Sequence, residues 1–242
     1  MILLKKLTKK FGDKVILSSV DLEISSGETL AVIGPSGCGK STLLRLILRL
    51  ETPTEGSIQV DDVDIEKIDE DGLNSYRQKI GMVFQSAALF DSMTVFENVA
   101  FGLRERNELP ESKIKDIVKE KLQFVELEGS EELMPSELSG GMQKRVSIAR
   151  ALATEPQIIL YDEPTTGLDP ITSTTIEDLI NKLSKSASVT SIVVTHQLTT
   201  IFRTAHRIIM LDKGKFIECG DVEQTKKSRD PIVHKFITAG LD

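Results

Sequence analysis

The chain has 242 residues, 40% of them hydrophobic, and its 30 basic and 37 acidic side chains leave a net charge of −7. That length and apolar content suit one α/β domain with a modest insert and exclude a disordered chain, while the acidic balance argues against a surface built mainly to hold nucleic acid or anionic lipid. Cys38 and Cys219 make neither a disulfide framework nor a zinc set, which points to a reducing compartment.

The amino terminus lacks the apolar core of a signal peptide, and the run from Leu43 to Leu50 is broken by Arg45 and Arg49. The chain is therefore expected to be soluble and to reach a membrane only through another protein. Val20, Leu22 and Ile24 alternate with Asp21 and Glu23 as a half-buried strand does, and Gly12 and Gly27 punctuate the flanks. Residues 1–27 are expected to be antiparallel β-structure. Leu30–Ile33 is a short buried strand, and it runs into Gly34-Pro35-Ser36-Gly37-Cys38-Gly39-Lys40-Ser41-Thr42, which opens a helix to about Leu50. This is the setting of a phosphate-binding loop. Glycines let successive N–H groups converge on phosphate oxygens, and the helix start adds a partial positive charge. Lys40 adds a full one, and Ser41 offers a hydroxyl to the Mg²⁺ that accompanies a nucleoside triphosphate. Cys38 reads as a tolerated small residue, with redox control as the alternative. A turn at Pro53–Gly56, a strand near Ile58–Val60 and a buried strand at Ile80–Phe84 continue the α/β alternation.

From Ser86 to about Ala153 helix follows helix, with Ile114, Ile117, Val118, Leu122 and Val125 at helical spacing, so residues 86–153 read as an insert. Residues 28–85 and 154–242 then make up the core. Near the insert's end, Leu138-Ser139-Gly140-Gly141-Met142 precedes a helix that Ser139 can cap, and its glycines allow close approach to an anion, although ordinary N-caps look similar. Strands return at Ile158–Tyr161 and Ser191–Val194, separated by a helix whose Ile176, Leu179, Ile180 and Leu183 share one face. The first of these strands ends in Asp162-Glu163. Alone, two acids at a strand end read as a solvated turn; behind a phosphate loop they suit a metal ligand, Asp162, and a general base, Glu163. Pro164 stops the strand there, at the carboxyl edge where α/β sheets bind ligands. Arg207–Leu211 and Phe216–Cys219 flank Lys213-Gly214 as a hairpin, and Pro231–Gly240 reads as a short helix.

The combination of the phosphate loop, LSGGM, ILYDEP, Gly167-Leu168-Asp169, a strand-end Gln85 and His196 after Val193-Val194-Thr195 resembles the ATP-binding subunit of an ABC transporter over nearly the whole chain. The resemblance implies a P-loop ATPase of α/β class with an amino-terminal antiparallel β-subdomain and a helical insert. It implies ATP and Mg²⁺, with Ser41, Gln85 and Asp162 toward the metal and His196 toward the γ-phosphate. It makes Phe11 a candidate for stacking on adenine, with core packing as the other reading. It also implies a head-to-tail pair, in which Ser139, Gly140 and Gly141 complete the partner's site and Asp169 passes between the subunits.

Gln85 to Val99, together with LSGGMQKR and YDEPTTGLDP, is most similar to the ATPases of MCE-type phospholipid transporters, the Mla (maintenance of lipid asymmetry) group. That implies a permease, an MCE-domain protein, a STAS-domain protein and a seat on the cytoplasmic face of the inner membrane. An ATPase for another cargo, such as an amino acid or a lipoprotein, would carry the same catalytic residues, and an ABC ATPase outside transport is a further alternative. Phe84, Phe90, Phe96 and Phe101, with Met93, are expected to divide between insert core and a groove for a permease helix. Gln197 departs from the aspartate usual after the family's histidine.

Overall fold

In the computed structural model, which describes residues 1–186 and 189–239, β1 (Ile2–Phe11) and β2 (Lys14–Ile24) pair antiparallel. The β1 register shifts between Leu4 and Leu7, where Lys6 has φ of +47°, so both leucines reach the core from one strand. Two more strands join this sheet from beyond the phosphate loop. β4 (Glu55–Val60) pairs with β1, and β5 (Val63–Asp64) pairs with β4, giving the order β2-β1-β4-β5 with β3 (Thr29–Ile33) elsewhere. The antiparallel sheet is thus not confined to residues 1–27: Ile58 and Val60 align with Leu4 and Ile2 and bury the same apolar face.

The second sheet has the order β10-β9-β3-β8-β7-β6, formed by β6 (Ile80–Val83), β7 (Ile158–Asp162), β8 (Thr190–Val194), β9 (Arg207–Asp212) and β10 (Lys215–Gly220) with β3. All its pairings are parallel except β10 with β9. Period-two alternation divides its side chains between two buried faces. Leu30, Val32, Leu160, Ile192, Val194, Ile209 and Leu211 pack with Leu43, Leu44, Leu46 and Ile47 of α1 (Lys40–Ile47) and with the antiparallel sheet. On the other face, Ala31, Ile33, Ile208 and Met210 pack under α7 (Leu198–Thr204) and α9 (Pro231–Ala239). Gly240, the last residue of the expected tail helix, lies outside the described residues.

The insert folds as α3 (Val95–Arg106), α4 (Glu111–Phe124) and α5 (Gly140–Ala153). Ile114, Val118, Leu122 and Val125 are buried, and Ile117 lies half-buried against the same cluster, which continues through the sheet residues Ile159 and Tyr161 into α6 (Pro170–Ser186). α2 (Glu70–Gln78) was not legible from periodicity, because Tyr76 is its only buried side chain. The short α8 (Val222–Lys226) follows β10 under an Asp221 capping box. Among the described residues no helix is long and apolar enough to cross a membrane.

Candidate active site

The carboxyl ends of β3, β8, β7 and β6 stand side by side in that order, each about 4.8 Å from the next in the hydrogen-bonding direction. They carry, respectively, the loop Gly34–Thr42, Thr195-His196, Asp162-Glu163 and the segment with Gln85. Sheet order alone therefore gathers residues separated by more than a hundred positions.

The loop needs its glycines. Gly34 and Gly39 have φ of +147° and +113°, and a Cβ at Gly39 would come 2.5 Å from Ile16 Cγ2 while one at Gly34 would overlap the Leu211 carbonyl. Lys40 is buried and donates from Nζ to the carbonyls of Gly34 at 2.9 Å and Pro35 at 3.1 Å, which holds its ammonium over the loop. Pro35, Ser36 and Gly37 are exposed, and Ser41 and Thr42 are half-buried at the start of α1. Burial pushes the Cys38 thiol up despite the nearby Lys40 charge, the reverse of a thiolate poised for redox chemistry.

Ser41 Oγ donates to Asp162 Oδ1 at 2.9 Å, so two of the three residues expected to face the metal already touch. Burial raises the Asp162 carboxyl above its ordinary range, the Ser41 hydrogen bond opposes this, and the Glu163 charge adds to the rise. A divalent cation would relieve that desolvated negative charge. The donors are hard oxygens, and no cluster of three or more His, Cys, Asp or Glu occurs among the described residues. This set fits Mg²⁺, which keeps waters and phosphate oxygens as ligands, and does not fit an all-protein cage.

Glu163 sits just past β7 with φ of +50°, a left-handed conformation that costs a non-glycine residue about 1–3 kcal/mol and is stabilised here by a Glu163 N–H bond to the Val194 carbonyl at 2.8 Å. His196 Nδ1 lies 2.9 Å from Glu163 Oε1, and Thr195 and Thr166 hydroxyls donate to Oε2 at 2.9 and 3.0 Å. Burial pushes the Glu163 carboxyl up, but these hydrogen bonds and the His196 contact outweigh it and hold the group below its usual range.

Lys144 was not anticipated. It is buried in α5, three residues past the paired glycines, and its Nζ donates to the carbonyls of Phe84 at 3.0 Å, Gln85 at 2.6 Å and Glu163 at 3.4 Å. One ammonium thus joins the ends of β6 and β7 to the helical insert. Burial lowers its pKa to about 8, against the raising charges of Asp162 and Glu163. The only sequence signal was a lysine on the otherwise buried side of a helix. The Gln85 side chain itself is exposed.

Ser139 caps α5 by accepting from Met142 N–H at 3.3 Å and is exposed with Gly140. No hydrogen bond among the described residues links Ser139–Gly141 to the phosphate loop. Gly141 is buried, and a Cβ there would overlap Thr172 Cγ2 of α6, whereas one at Gly140 would meet Leu168 Cδ2 at an ordinary 3.7 Å. Asp169 is exposed and accepts from the N–H groups of Ile171 and Thr172, each at 3.0 Å, and the Thr172 bonds hold its carboxyl below the usual range. Phe11 is 45% exposed, with Lys9 Nζ 4.5 Å from its ring centroid, so it is not a core residue. Phe96 packs against the insert core, while Phe84, Phe90 and Phe101 line a hollow of about 310 Å³ with Ala88 and Arg150.

A glycine loop leading into a buried lysine, beside a serine–aspartate pair and a strand-end glutamate, defines a P-loop nucleotide hydrolase. The chain belongs to the ABC transporter family, whose model matches residues 17–166, and it is an ATPase. It is 43% identical over 242 residues to the intermembrane phospholipid transport system ATP-binding protein MlaF of Haemophilus influenzae, covering 100% of this chain and 92% of that one. It is 44% identical over 216 residues to methionine import ATP-binding protein MetN 2 of Bacillus cereus, covering 89% and 63%. Among solved structures, the dimeric post-hydrolysis state of the ATP-binding cassette MJ0796 bound to ADP and Pi superposes with a TM-score of 0.82 at 39% identity, covering 90% of this chain and 98% of that one.

Proposed function

We propose that two copies of this chain bind ATP between them and hydrolyse it to drive a permease that moves phospholipid between membranes. Similarity to MlaF along the entire chain is the observation that carries the cargo. The shorter match to MetN 2 supports methionine as the second reading. The likeness to a dimeric cassette supports the pairing, as does the exposure of Ser139 and Gly140 away from any bond to their own phosphate loop.

In this reading Lys40 and the loop N–H groups bind the β- and γ-phosphates, Phe11 stacks on adenine, and Ser139, Gly140 and Gly141 of the second copy close over the γ-phosphate while Asp169 lies between the subunits. Ser41, Asp162 and Gln85 would hold Mg²⁺, which supplies charge neutralisation at the phosphates when bound. His196 turns from Glu163 to the γ-phosphate, and the freed Glu163 Oε1 takes a proton from the attacking water. The helix start at Ser139 keeps its anionic partner only until hydrolysis, which resets the pair. The hollow lined by Phe84, Phe90 and Phe101 receives a permease helix. The assembly sits on the cytoplasmic face of the inner membrane with an MCE-domain protein and a STAS-domain protein.

Purification from detergent-solubilised membranes tests this, followed by reconstitution with labelled glycerophospholipid or labelled methionine. Recovery of a permease and ATP-dependent phospholipid movement is expected. Methionine uptake would transfer the chain to the second reading, and recovery of ribosomes or DNA-repair factors without a permease would end both.

A further inference from the structure

A chain of short polar contacts runs from the residue behind His196 into α6. The Gln197 amide meets Thr165 Oγ1 at 2.6 Å, Thr165 Oγ1 meets Thr200 Oγ1 at 2.7 Å, and Thr200 Oγ1 meets Glu177 Oε1 at 2.8 Å. Thr165, Thr200 and Glu177 are buried, and Arg203 Nε pairs with the other Glu177 oxygen at 2.8 Å.

Three contacts of hydrogen-bond length need three protons, and the two hydroxyls supply one each. Glu177, held by the Arg203 guanidinium, enters as an acceptor-only carboxylate, so Thr200 donates to it. Thr200 then accepts from Thr165, which leaves Thr165 with no proton for Gln197. The structure sets Gln197 Oε1 toward Thr165, which then donates outward and leaves the Thr165–Thr200 contact without a proton. A half-turn of the amide about its last bond presents Nε2 instead, and every contact is satisfied.

We infer that Gln197 is a positioning residue: it is the terminal donor of the relay Gln197–Thr165–Thr200–Glu177, and it thereby ties the loop carrying His196 to the segment carrying Glu163. Gln197 is adjacent to His196, and Thr165 lies two residues past Glu163. The tie flanks the 2.9 Å contact between Glu163 and His196. A carboxylate at position 197 cannot replace the amide, because it leaves the relay one proton short and sets oxygen against oxygen. This inference rests on the reading of Glu163 and His196 as the hydrolytic pair.

Steady-state ATPase kinetics of the full chain test it, with Gln197→Glu, Gln197→Met, Glu177→Gln and the double variant Gln197→Glu/Glu177→Gln. Gln197→Glu keeps the shape but gives no proton, and kcat falls about ten-fold, the scale of one unsatisfied buried polar contact, with KM for ATP held within about two-fold. Gln197→Met removes the contact without opposing Thr165 and loses less. Glu177→Gln reverses the supply: the amide introduced at 177 can accept from Arg203 and donate to Thr200. In the double variant the relay then runs outward to the carboxylate introduced at 197, and kcat returns to within about two-fold of wild type.

The inference is overturned if Gln197→Glu is at least as active as Gln197→Met, or if the double variant is no more active than Gln197→Glu with both at the wild-type melting midpoint. Should the double variant unfold, the ranking of Gln197→Glu below Gln197→Met still decides. Glu163→Gln separates the two levels. Its loss of hydrolysis beside unaffected Gln197 variants would remove only this inference, whereas its unchanged hydrolysis would remove the reading beneath it.

Discussion

His196 Nδ1 and Glu163 Oε1 lie 2.9 Å apart, so the residue read as the γ-phosphate contact and the residue read as the general base hold each other. Thr195 and Thr166 occupy the second oxygen. A carboxylate with both oxygens engaged is a poor proton acceptor, and it becomes a better one once His196 leaves. Glu163→Gln is therefore expected to keep ATP affinity within about three-fold while turnover falls by about 10² to 10⁴. It should also accumulate an ATP-bound dimer, visible by light scattering. Unchanged turnover would take Glu163 out of this role.

The same contacts set a pH dependence. Glu163 works as the carboxylate, so activity is lost as pH falls through its pKa, which the hydrogen bonds from His196, Thr195 and Thr166 keep low against the upward push of burial. Thr195→Val removes one donor to the charged form and raises that pKa. The acid limb of kcat/KM, which reports the free enzyme, should move to higher pH, while Thr195→Ser, which keeps the hydroxyl, should leave it in position. An unmoved limb in Thr195→Val would show that another group governs the profile.

Lys40 donates to the carbonyls of Gly34 and Pro35, and no carboxylate pairs with its ammonium among the described residues. A phosphate therefore gains a charge-assisted bond without first breaking an ion pair. Lys40→Ala should weaken ATP binding by about 10- to 150-fold, the range for a hydrogen bond to a charged group. Titration of a fluorescent ATP analogue measures this, and wild-type affinity would contradict it.

Contiguous chemistry was legible and remote pairing was not. The phosphate loop, Asp162-Glu163 and the helix cap at Ser139 each announce themselves within a few residues, since one turn or strand end builds them. Lys144 meets Phe84 across 60 positions, and Thr195 meets Glu163 across 32. The packing of α5 on β6 creates the first neighbour, and the pairing of β7 with β8 creates the second. β4 joined the amino-terminal sheet for the same reason: Ile58 and Val60 carry a strand pattern but no record of the partner. The departure at Gln197 was visible as a letter, and its donor count required Thr165, Thr200 and Glu177 around it.

Lys144 makes a stability prediction with a definite sign. Its folded pKa of about 8 lies below the value near 10.4 for an exposed lysine, so the folded state binds fewer protons between those limits. The buried charge opposes folding below pH 8, and the penalty is relieved as pH rises from 8 toward 10. Lys144→Met has no such dependence. The wild-type chain should gain on the variant in urea midpoint between pH 7 and pH 9.5, and a constant difference would show that Lys144 is not desolvated as the structure has it.

Gly141 separates packing from anion binding in the paired glycines. A Cβ at Gly141 would overlap Thr172 Cγ2 where α5 crosses α6, while a Cβ at Gly140 has room. Overpacking of this kind costs about 1–3 kcal/mol. Gly141→Ala should lower the melting midpoint, and Gly140→Ala should change it little. Thr172→Ser removes the obstructing methyl and keeps the hydroxyl that bonds Asp169, so Gly141→Ala/Thr172→Ser should recover most of the loss. ATPase activity in the rescued variant then reports on the anion site alone: activity that returns with stability would mean that Gly141 is needed for the α5–α6 contact, and activity that stays low would assign it to the close approach of phosphate.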